Sequence, residues 1–342
     1  MSTLNIGLIG AGMYGKVLIR AFRHDGRAQI KWVCSASEKT TRATAEECGV
    51  PNWTLDYREI LADPEVDAVA IATPVFLHTQ PLIDALAAGK HVLIEKPMAE
   101  SRANVGRILD AVAAAPELVV LEASCRHTRM TAKFRAVKAL IDSGRLGEVY
   151  HIHHVSLTPR TFIEWNPGGA WAMDKSRGGG GPFMDWGVYD LSFHLGLLDD
   201  KPQLTGLRAF TRNGLRDIGH LVPFTDVEQH GAAWLDFDTG LTYYYERGSG
   251  VHGETPCETR IQGTKGGVRL QFPSWDSPQI EFFSAVDGDP RRELIQVEEP
   301  EAEDANPLAR HFIDCIEGHA QPMMPVSRAA KHLDILFRIL ES

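Results

Sequence analysis

The sequence has little cysteine, and none of it is spaced as metal sites or disulfide frameworks require. Cys34, Cys48, Cys125, Cys257 and Cys315 are far apart and odd in number. No C-x-x-C pair occurs, which argues against a zinc site or a secreted disulfide scaffold and leads us to expect reduced thiols in a cytoplasmic protein. No run of about 18 apolar residues exists, so no transmembrane span is expected. Positive charge is in deficit: 35 Lys and Arg stand against 45 Asp and Glu, a net charge of −10. That balance argues against a nucleic-acid or anionic-membrane partner. No charged-then-apolar leader precedes the first apolar run, and no internal repeat is visible.

What is present is an ordinary globular composition, 44% hydrophobic and 23% charged over 342 residues, enough for two domains with their own cores. Gly10, Gly12 and Gly15 have the G-x-G-x-x-G spacing, with Met13 and Tyr14 inside the turn. Ile6, Leu8 and Ile9 before them read as a strand; Val17, Leu18, Ala21 and Phe22 after them read as a helix. A strand entering such a turn and then a helix aims backbone N–H groups and a positive helix end at a pyrophosphate.

Strands are expected at 29–34, 66–72, 91–95 and 118–123, and helices at 40–48, 79–88 and 102–115. This alternation predicts α/β architecture, a doubly wound parallel sheet forming a dinucleotide-binding Rossmann domain over residues 1–124. After a helix at 132–143 the pattern changes to short, turn-bounded strands at 149–155, 204–211, 232–237, 241–246, 258–262, 267–272 and 279–283. With hairpin turns at 238–240 and 266–267, these predict an α+β substrate-binding domain over 125–325 built on an open, mainly antiparallel sheet. Helices at 307–318 and 327–341 follow, and the C-terminal helix of 326–342 is expected to pack back toward the first domain.

Three further motifs carry chemistry. Ala72-Thr73-Pro74 with His78, and Glu95-Lys96-Pro97, fall at the carboxyl ends of expected strands, where open parallel sheets bind ligands. Pro97 fixes the chain and biases Lys96 toward an extended conformation, leaving its ammonium able to reach a ligand. Gly178 to Gly181 lead into Pro182, a residue suited to a first helical turn. Asp185 and Tyr189, four apart, then share one helix face, while Asp190 and His194 share another.

These motifs, with the Ser143-Gly144-x-Leu146-Gly147 turn, together resemble the Gfo/Idh/MocA oxidoreductases, the family of glucose–fructose oxidoreductase and inositol dehydrogenase. The resemblance extends over essentially the whole chain. It implies a nicotinamide cofactor, a catalytic lysine at Lys96, and a homodimer or homotetramer formed through the sheet of the second domain. Inositol dehydrogenase-like members carry Asp-x-x-x-His where this chain has Asp185 and Tyr189. The departure resembles the glucose–fructose oxidoreductase and dimeric dihydrodiol dehydrogenase branches, where a tyrosine serves.

The expected activity is therefore an NAD(P)-dependent oxidoreductase acting on the CH–OH groups of a sugar, polyol or related cyclic alcohol. Tyr189 is the expected acid/base: a phenol titrates near pKa ~10, and a nearby ammonium such as Lys96 lowers that value. Lys96 would also stabilise the developing alkoxide, and Asp185 would accept a substrate hydroxyl. His194 is the rival acid/base, although its helix phase turns it from Asp185. The alternatives are a redox-neutral sugar-converting or glycoside-cleaving enzyme with tightly held NAD(P), and a nucleotide-sensing regulator without catalysis.

NADP is expected over NAD, because Ser35 stands where an acid would bind the ribose hydroxyls, and Ser37, Lys39 and Arg42 suit a 2′-phosphate. Glu38 is the complication, since it could reach a ribose. The expected cofactor contacts are Gly10, Gly12, Met13, Tyr14, Gly15, Ser35, Ser37, Lys39, Arg42, Thr73, Pro74, His78, Glu95 and Lys96. Expected substrate contacts are His127, Arg129, Trp165, Trp171, Asp185 and His194, with Arg126 nearby. No metal is expected: His151, His153 and His154 lack a carboxylate at ligand spacing.

Overall fold

The computed structural model describes residues 3–272, 277–299, 301 and 303–342. The chain divides into two compact units, Met1–Arg126 with Glu301–Lys331, and His127–Pro300 with His332–Ser342.

In the first unit, strands β1 (Leu4–Ile9), β2 (Ala28–Cys34), β3 (Asn52–Thr54), β4 (Ala68–Ile71), β5 (His91–Ile94) and β6 (Val120–Glu122) form one sheet in the order β3-β2-β1-β4-β5-β6. Every neighbouring pair is parallel, which is the dinucleotide-binding order expected of a Rossmann sheet. The crossovers carry α1 (Met13–Asp25), α2 (Glu38–Cys48), α3 (Tyr57–Ala62), α4 (Thr79–Ala87) and α5 (Arg102–Ala113). All four residues of β4 are fully buried, as a strand covered on both faces must be. The helices start and stop on local chemistry: the Ser37 hydroxyl accepts from the Thr40 N–H, and Gly49 ends α2 at φ 55°. β3 and α3 were not expected, being too short for periodicity to register.

The second unit contains α6 (Ala132–Asp142), α7 (Phe162–Trp165), α8 (Lys175–Gly178) and α9 (Pro182–Gly196). Its strands are β7 (Val149–Thr158), β8 (Leu204–Arg212), β9 (His230–Phe237), β10 (Thr242–Ser249), β11 (Thr255–Gly263), β12 (Gly266–Gln271), β13 (Gln279–Val286) and β14 (Asp289–Gln296). They pair in the order β14-β13-β12-β11-β7-β10-β9-β8; β7 and β10 run parallel and the other pairs antiparallel. β14 was not expected, because Asp289–Gln296 is an exposed, charged edge with no apolar alternation. The hairpin joining β11 to β12 turns at Thr264 and Lys265, not at Gly266-Gly267, which already lie in β12; Lys265 N–H donates to the Leu146 carbonyl at 2.9 Å and draws the turn forward.

Two C-terminal helices correct the expected division. α10 (Ala305–Ile316) belongs to the first unit, where its apolar stripe of Leu308, Phe312 and Ile313 is buried and Phe312 meets Phe22 edge-on at 6.3 Å. The main segment of the second unit therefore ends at 300, not 325, and the unit takes up the chain again at His332. α11 (Val326–Leu340) does not pack as one piece toward the first unit: from His332 onward it belongs to the second. There Leu336 lies so close to Gly187 of α9 that a Cβ on that glycine would stand 2.6 Å from it. Among the described residues no helix is long and apolar enough to cross a membrane.

Candidate active site

The glycine turn links the end of β1 to α1. Gly10 has φ 117°, a left-handed conformation, and a Cβ there would stand 2.5 Å from the Ala72 carbonyl. A Cβ on Gly15 would stand 2.0 Å from the Gly10 carbonyl oxygen. Gly12 is different: nothing lies within 4 Å of its Cβ position. Gly12 caps α1 without a side-chain bond, and the first turn (Met13, Tyr14, Gly15) has no carboxylate. The leading N–H groups of α1 thus have no side-chain cap or first-turn carboxylate, and the space beside Gly12 lies at the positive end of the helix. The buried Thr73 hydroxyl, at the end of β4, has no hydrogen-bond partner among the described residues. An open cradle at Gly12 and an unsatisfied hydroxyl on the same sheet edge fit a dinucleotide.

The second and third motifs are tied to each other by His78. It is fully buried, and its ring nitrogens lie 2.8 Å from the Thr73 carbonyl and 3.0 Å from the Pro97 carbonyl. Both ring nitrogens are therefore engaged by backbone, and His78 ties the two turns together. Pro74 begins the short 3₁₀ turn that leads to it.

Lys96 follows β5, is partly exposed, and its N–H donates to Glu95 at 3.3 Å; the Lys96–Pro97 bond is cis. The buried Glu95 carboxylate is ion-paired with Arg126, whose guanidinium lies 4.1 Å from the Tyr14 ring centroid and 3.4 Å from Asp304. Arg126 is thus ion-paired inside the first unit. Burial raises the Tyr14 phenol well above its ordinary value, with Arg126 opposing. Beside these groups Glu122 ends β6. It is buried, accepts from the Ser124 N–H at 2.8 Å, and burial pushes its carboxyl up to about 7, with Glu95 adding to the rise and Ser124 and Lys96 opposing it.

At the end of β2 the Ser35 hydroxyl is 2.6 Å from that of Thr41, and Ser37 caps α2. Lys39 and Arg42 are exposed on α2; Arg42 pairs with Glu38 at 3.5 Å and lies over the Trp53 ring.

In the second unit Pro182 is the first residue of α9, as its sequence position predicted, and Asp185 and Tyr189 lie one turn apart along the helix. Asp185 is partly exposed, whereas Tyr189 is 1% exposed. The Tyr189 ring meets His127 edge-on at 4.8 Å and Trp186 at 5.5 Å, and His127 stacks on Trp186 at 6.4 Å.

Four of the expected substrate contacts lie on other elements than Asp185 and Tyr189 or are engaged by other groups. His194 is fully buried against the sheet, with its ring nitrogens 2.7 Å from the Tyr243 hydroxyl and 2.8 Å from that of Thr259. Burial holds its pKa well below the ordinary imidazole value. Arg129 is committed to Asp200 at 2.8 Å and to Ser192 at 3.2 Å. Trp165 is exposed on α7 and packs on Phe162, while Trp171 sits in the 3₁₀ segment Pro167–Met173. Sequence reasoning missed Glu122, Trp186 and Arg247. Trp186 was findable, since it lies one turn before Tyr189; Arg247 was not, because only the tertiary fold brings it to Asp190.

Comparison with known proteins fits this geometry. Residues 4–122 match the oxidoreductase family with an NAD-binding Rossmann fold, and residues 134–269 match the GFO/IDH/MocA C-terminal domain. The chain is 32% identical over 256 residues to 1,5-anhydro-D-fructose reductase of Ensifer adhaerens, covering 72% of each protein. It is 30% identical to inositol 2-dehydrogenase of Rhizobium meliloti, over 73% of each. Among solved structures, levoglucosan dehydrogenase in complex with NADH and levoglucosan superposes with a TM-score of 0.84 at 21% identity, over 99% of this chain and 96% of that one. An NAD-binding oxidoreductase from Klebsiella pneumoniae gives a TM-score of 0.83 at 20% identity, over 100% and 97%. With its glycine turn, its strand-end lysine and both domain matches, the chain belongs to the Gfo/Idh/MocA family of NAD(P)-dependent oxidoreductases.

Proposed function

We propose that this enzyme transfers a hydride between nicotinamide and a secondary hydroxyl of a sugar, polyol or related cyclic alcohol. The observation that carries the reading is the cofactor edge: the open Gly12 cradle, the Thr73 hydroxyl and Lys96 stand at the carboxyl ends of three adjacent strands, β1, β4 and β5. Relatives named for 1,5-anhydrofructose, levoglucosan and inositol support the substrate class. Bound nicotinamide supplies the hydride acceptor or donor. Tyr189 exchanges the hydroxyl proton, Lys96 stabilises alkoxide charge, and Asp185 accepts a substrate hydroxyl. Gly10, Gly12, Met13, Tyr14 and Gly15 seat the pyrophosphate, and Glu95 holds the turn that carries Lys96.

NADP is the favoured cofactor in this reading. Ser35 in place of a carboxylate, the Ser37 cap and the exposed Lys39 and Arg42 support it, while the Glu38–Arg42 pair absorbs the nearest acid. A homodimer or homotetramer forms through the outer face of the second sheet. There Phe210 and Trp234 are exposed, and His151 and His153 stack on Trp234 and Tyr244 at 5.6 and 5.0 Å. Five free cysteines support a cytoplasmic location.

The test is a screen of reduced-nicotinamide absorbance over aldoses, ketoses, inositols and anhydro sugars with each cofactor, beside the Tyr189→Phe variant. Turnover that Tyr189→Phe abolishes is expected, with a lower KM for NADP. Turnover on no substrate, or an unchanged kcat in Tyr189→Phe, overturns the reading. Analytical ultracentrifugation showing a monomer overturns the assembly.

A further inference from the structure

The first turn of α9, which carries Asp185, is held by a carboxylate from outside the helix. Glu228 lies in the loop before β9 and is buried. Its Oε2 accepts from the Gly181 N–H at 2.8 Å, and its Oε1 accepts from the Phe183 N–H at 3.1 Å. Pro182 between them has no N–H to offer. The Met184 and Asp185 N–H groups both donate to the Gly181 carbonyl at 3.0 Å. The leading donors of α9 are therefore all engaged, two of them by one side chain. Only two hydrogen bonds, both through Gly181, separate the Glu228 carboxylate from the Asp185 backbone.

The glycine run is shaped by this contact. A Cβ on Gly181 would collide with the Glu228 carbonyl oxygen. One on Gly180 would stand 3.3 Å from Glu228 Oε2 and 2.8 Å from the Met184 and Leu340 side chains. The same loop holds the preceding helix: the Lys175 N–H of α8 donates to Asp226 Oδ1 at 2.6 Å, and the Asp226 N–H donates to the Met173 carbonyl at 3.2 Å. Residues 226–228 thus grip the chain on both sides of the glycines. Burial raises the Glu228 carboxyl, with the Gly181 and Phe183 N–H groups opposing it. A serine at the N-cap would satisfy a leading donor at less cost in desolvation. What the carboxylate adds is direction, because two N–H···O bonds to one rigid group fix the rotation of the turn as a single bond does not.

We propose that Glu228 is a positioning residue of the oxidoreductase reaction, which sets the first turn of α9 and through Gly181 places the Asp185 carboxylate for the substrate hydroxyl. The inference rests on the reading of Asp185 as a substrate contact. Glutamine at 228 keeps one acceptor oxygen and turns an amide N–H toward the other backbone donor, so Gly181 and Asp185 lose their fixed orientation together. Such a displacement raises substrate KM. A lost folded fraction instead lowers kcat and leaves KM unchanged.

The test is a double-variant cycle: wild type, Glu228→Gln, Asp185→Asn and the two together, assayed with the sugar or polyol that wild type turns over fastest in the nicotinamide screen. Expected in Glu228→Gln is a substrate KM at least fivefold higher with nicotinamide KM little changed. The double variant should have a substrate KM within twofold of Asp185→Asn alone, because a residue that acts through Asp185 has nothing left to place. A wild-type substrate KM in Glu228→Gln, or effects that multiply in the double variant, overturns the positioning role, while a raised substrate KM in Asp185→Asn leaves the reading of Asp185 intact. If Asp185→Asn keeps the wild-type substrate KM, the underlying reading has failed and the inference falls with it. Should Glu228→Gln not fold, Glu228→Asp, which keeps both oxygens and withdraws them by one methylene, takes its place in the cycle with the same two outcomes.

Discussion

Arg126 is ion-paired with Glu95, and both side chains are buried at the carboxyl edge of the parallel sheet. The pair fixes the residue next to Lys96 and presses the guanidinium onto Tyr14 of the glycine turn, so one cation braces two cofactor motifs. Arg126→Leu leaves Glu95 buried without its partner, and loss of such a partner costs about 3–5 kcal/mol. Urea unfolding of the variant should show that loss. The double variant Arg126→Leu with Glu95→Gln should recover part of it, and equal losses in single and double variants would contradict the pairing.

Gly12 separates binding from folding. Its Cβ position is empty for 4 Å around and its φ of −74° is open to any residue, so Gly12→Ala should unfold as wild type does. The added methyl faces the cradle, and KM for nicotinamide should rise tenfold or more. Unchanged nicotinamide KM would remove the cradle from the cofactor site.

Acid should weaken the second unit through two neutral histidines. Burial lowers His154 to about 4 and takes His194 well below the ordinary value. A depressed imidazole pKa contributes stability that is full above the unfolded value near 6.5 and is lost as pH falls toward 4. The His154 contribution alone amounts to ~2 kcal/mol between roughly pH 7 and 5. Urea midpoints should fall over that interval, and less steeply in His154→Gln; parallel slopes in the two proteins would refute the cause.

Glu122 works in the opposite sense. Its carboxyl is raised to about 7 from 4.5, so the stability it contributes is full below about 4.5 and is lost as pH rises through about 7. Glu122→Gln keeps an oxygen for the Ser124 N–H and removes the titration. It should stabilise the protein by up to ~3 kcal/mol at roughly pH 8 and leave it unchanged at roughly pH 4.5. Equal effects at both pH values, read by urea unfolding, would refute the shift.

Legibility followed the range of the forces. The glycine turn, both strand-end motifs and the shared face of Asp185 and Tyr189 depend on residues a few positions apart, and all were readable. His78 was readable as part of its motif, but that its ring would be consumed by two carbonyls was not. Arg129 and His194 looked like ligands because a sequence shows a side chain's chemistry without its partner. Asp200 lies 71 positions from Arg129, and Thr259 lies 65 from His194.

The sequence by itself determined the family, the cofactor edge and the order of the two sheets, since strand periodicity, glycine spacing and helix phase are local properties of the chain. The tertiary structure decided which charges are spent on the fold: Arg126 on Glu95, Arg247 on Asp190, and Arg27 on Asp314, pairs 31, 57 and 287 positions apart. It also placed α10 in the first unit, because an amphipathic stripe states that a helix must be covered and not by what. Burial, and with it the neutral His154 and the raised Glu122, exists only once distant segments have excluded water from them.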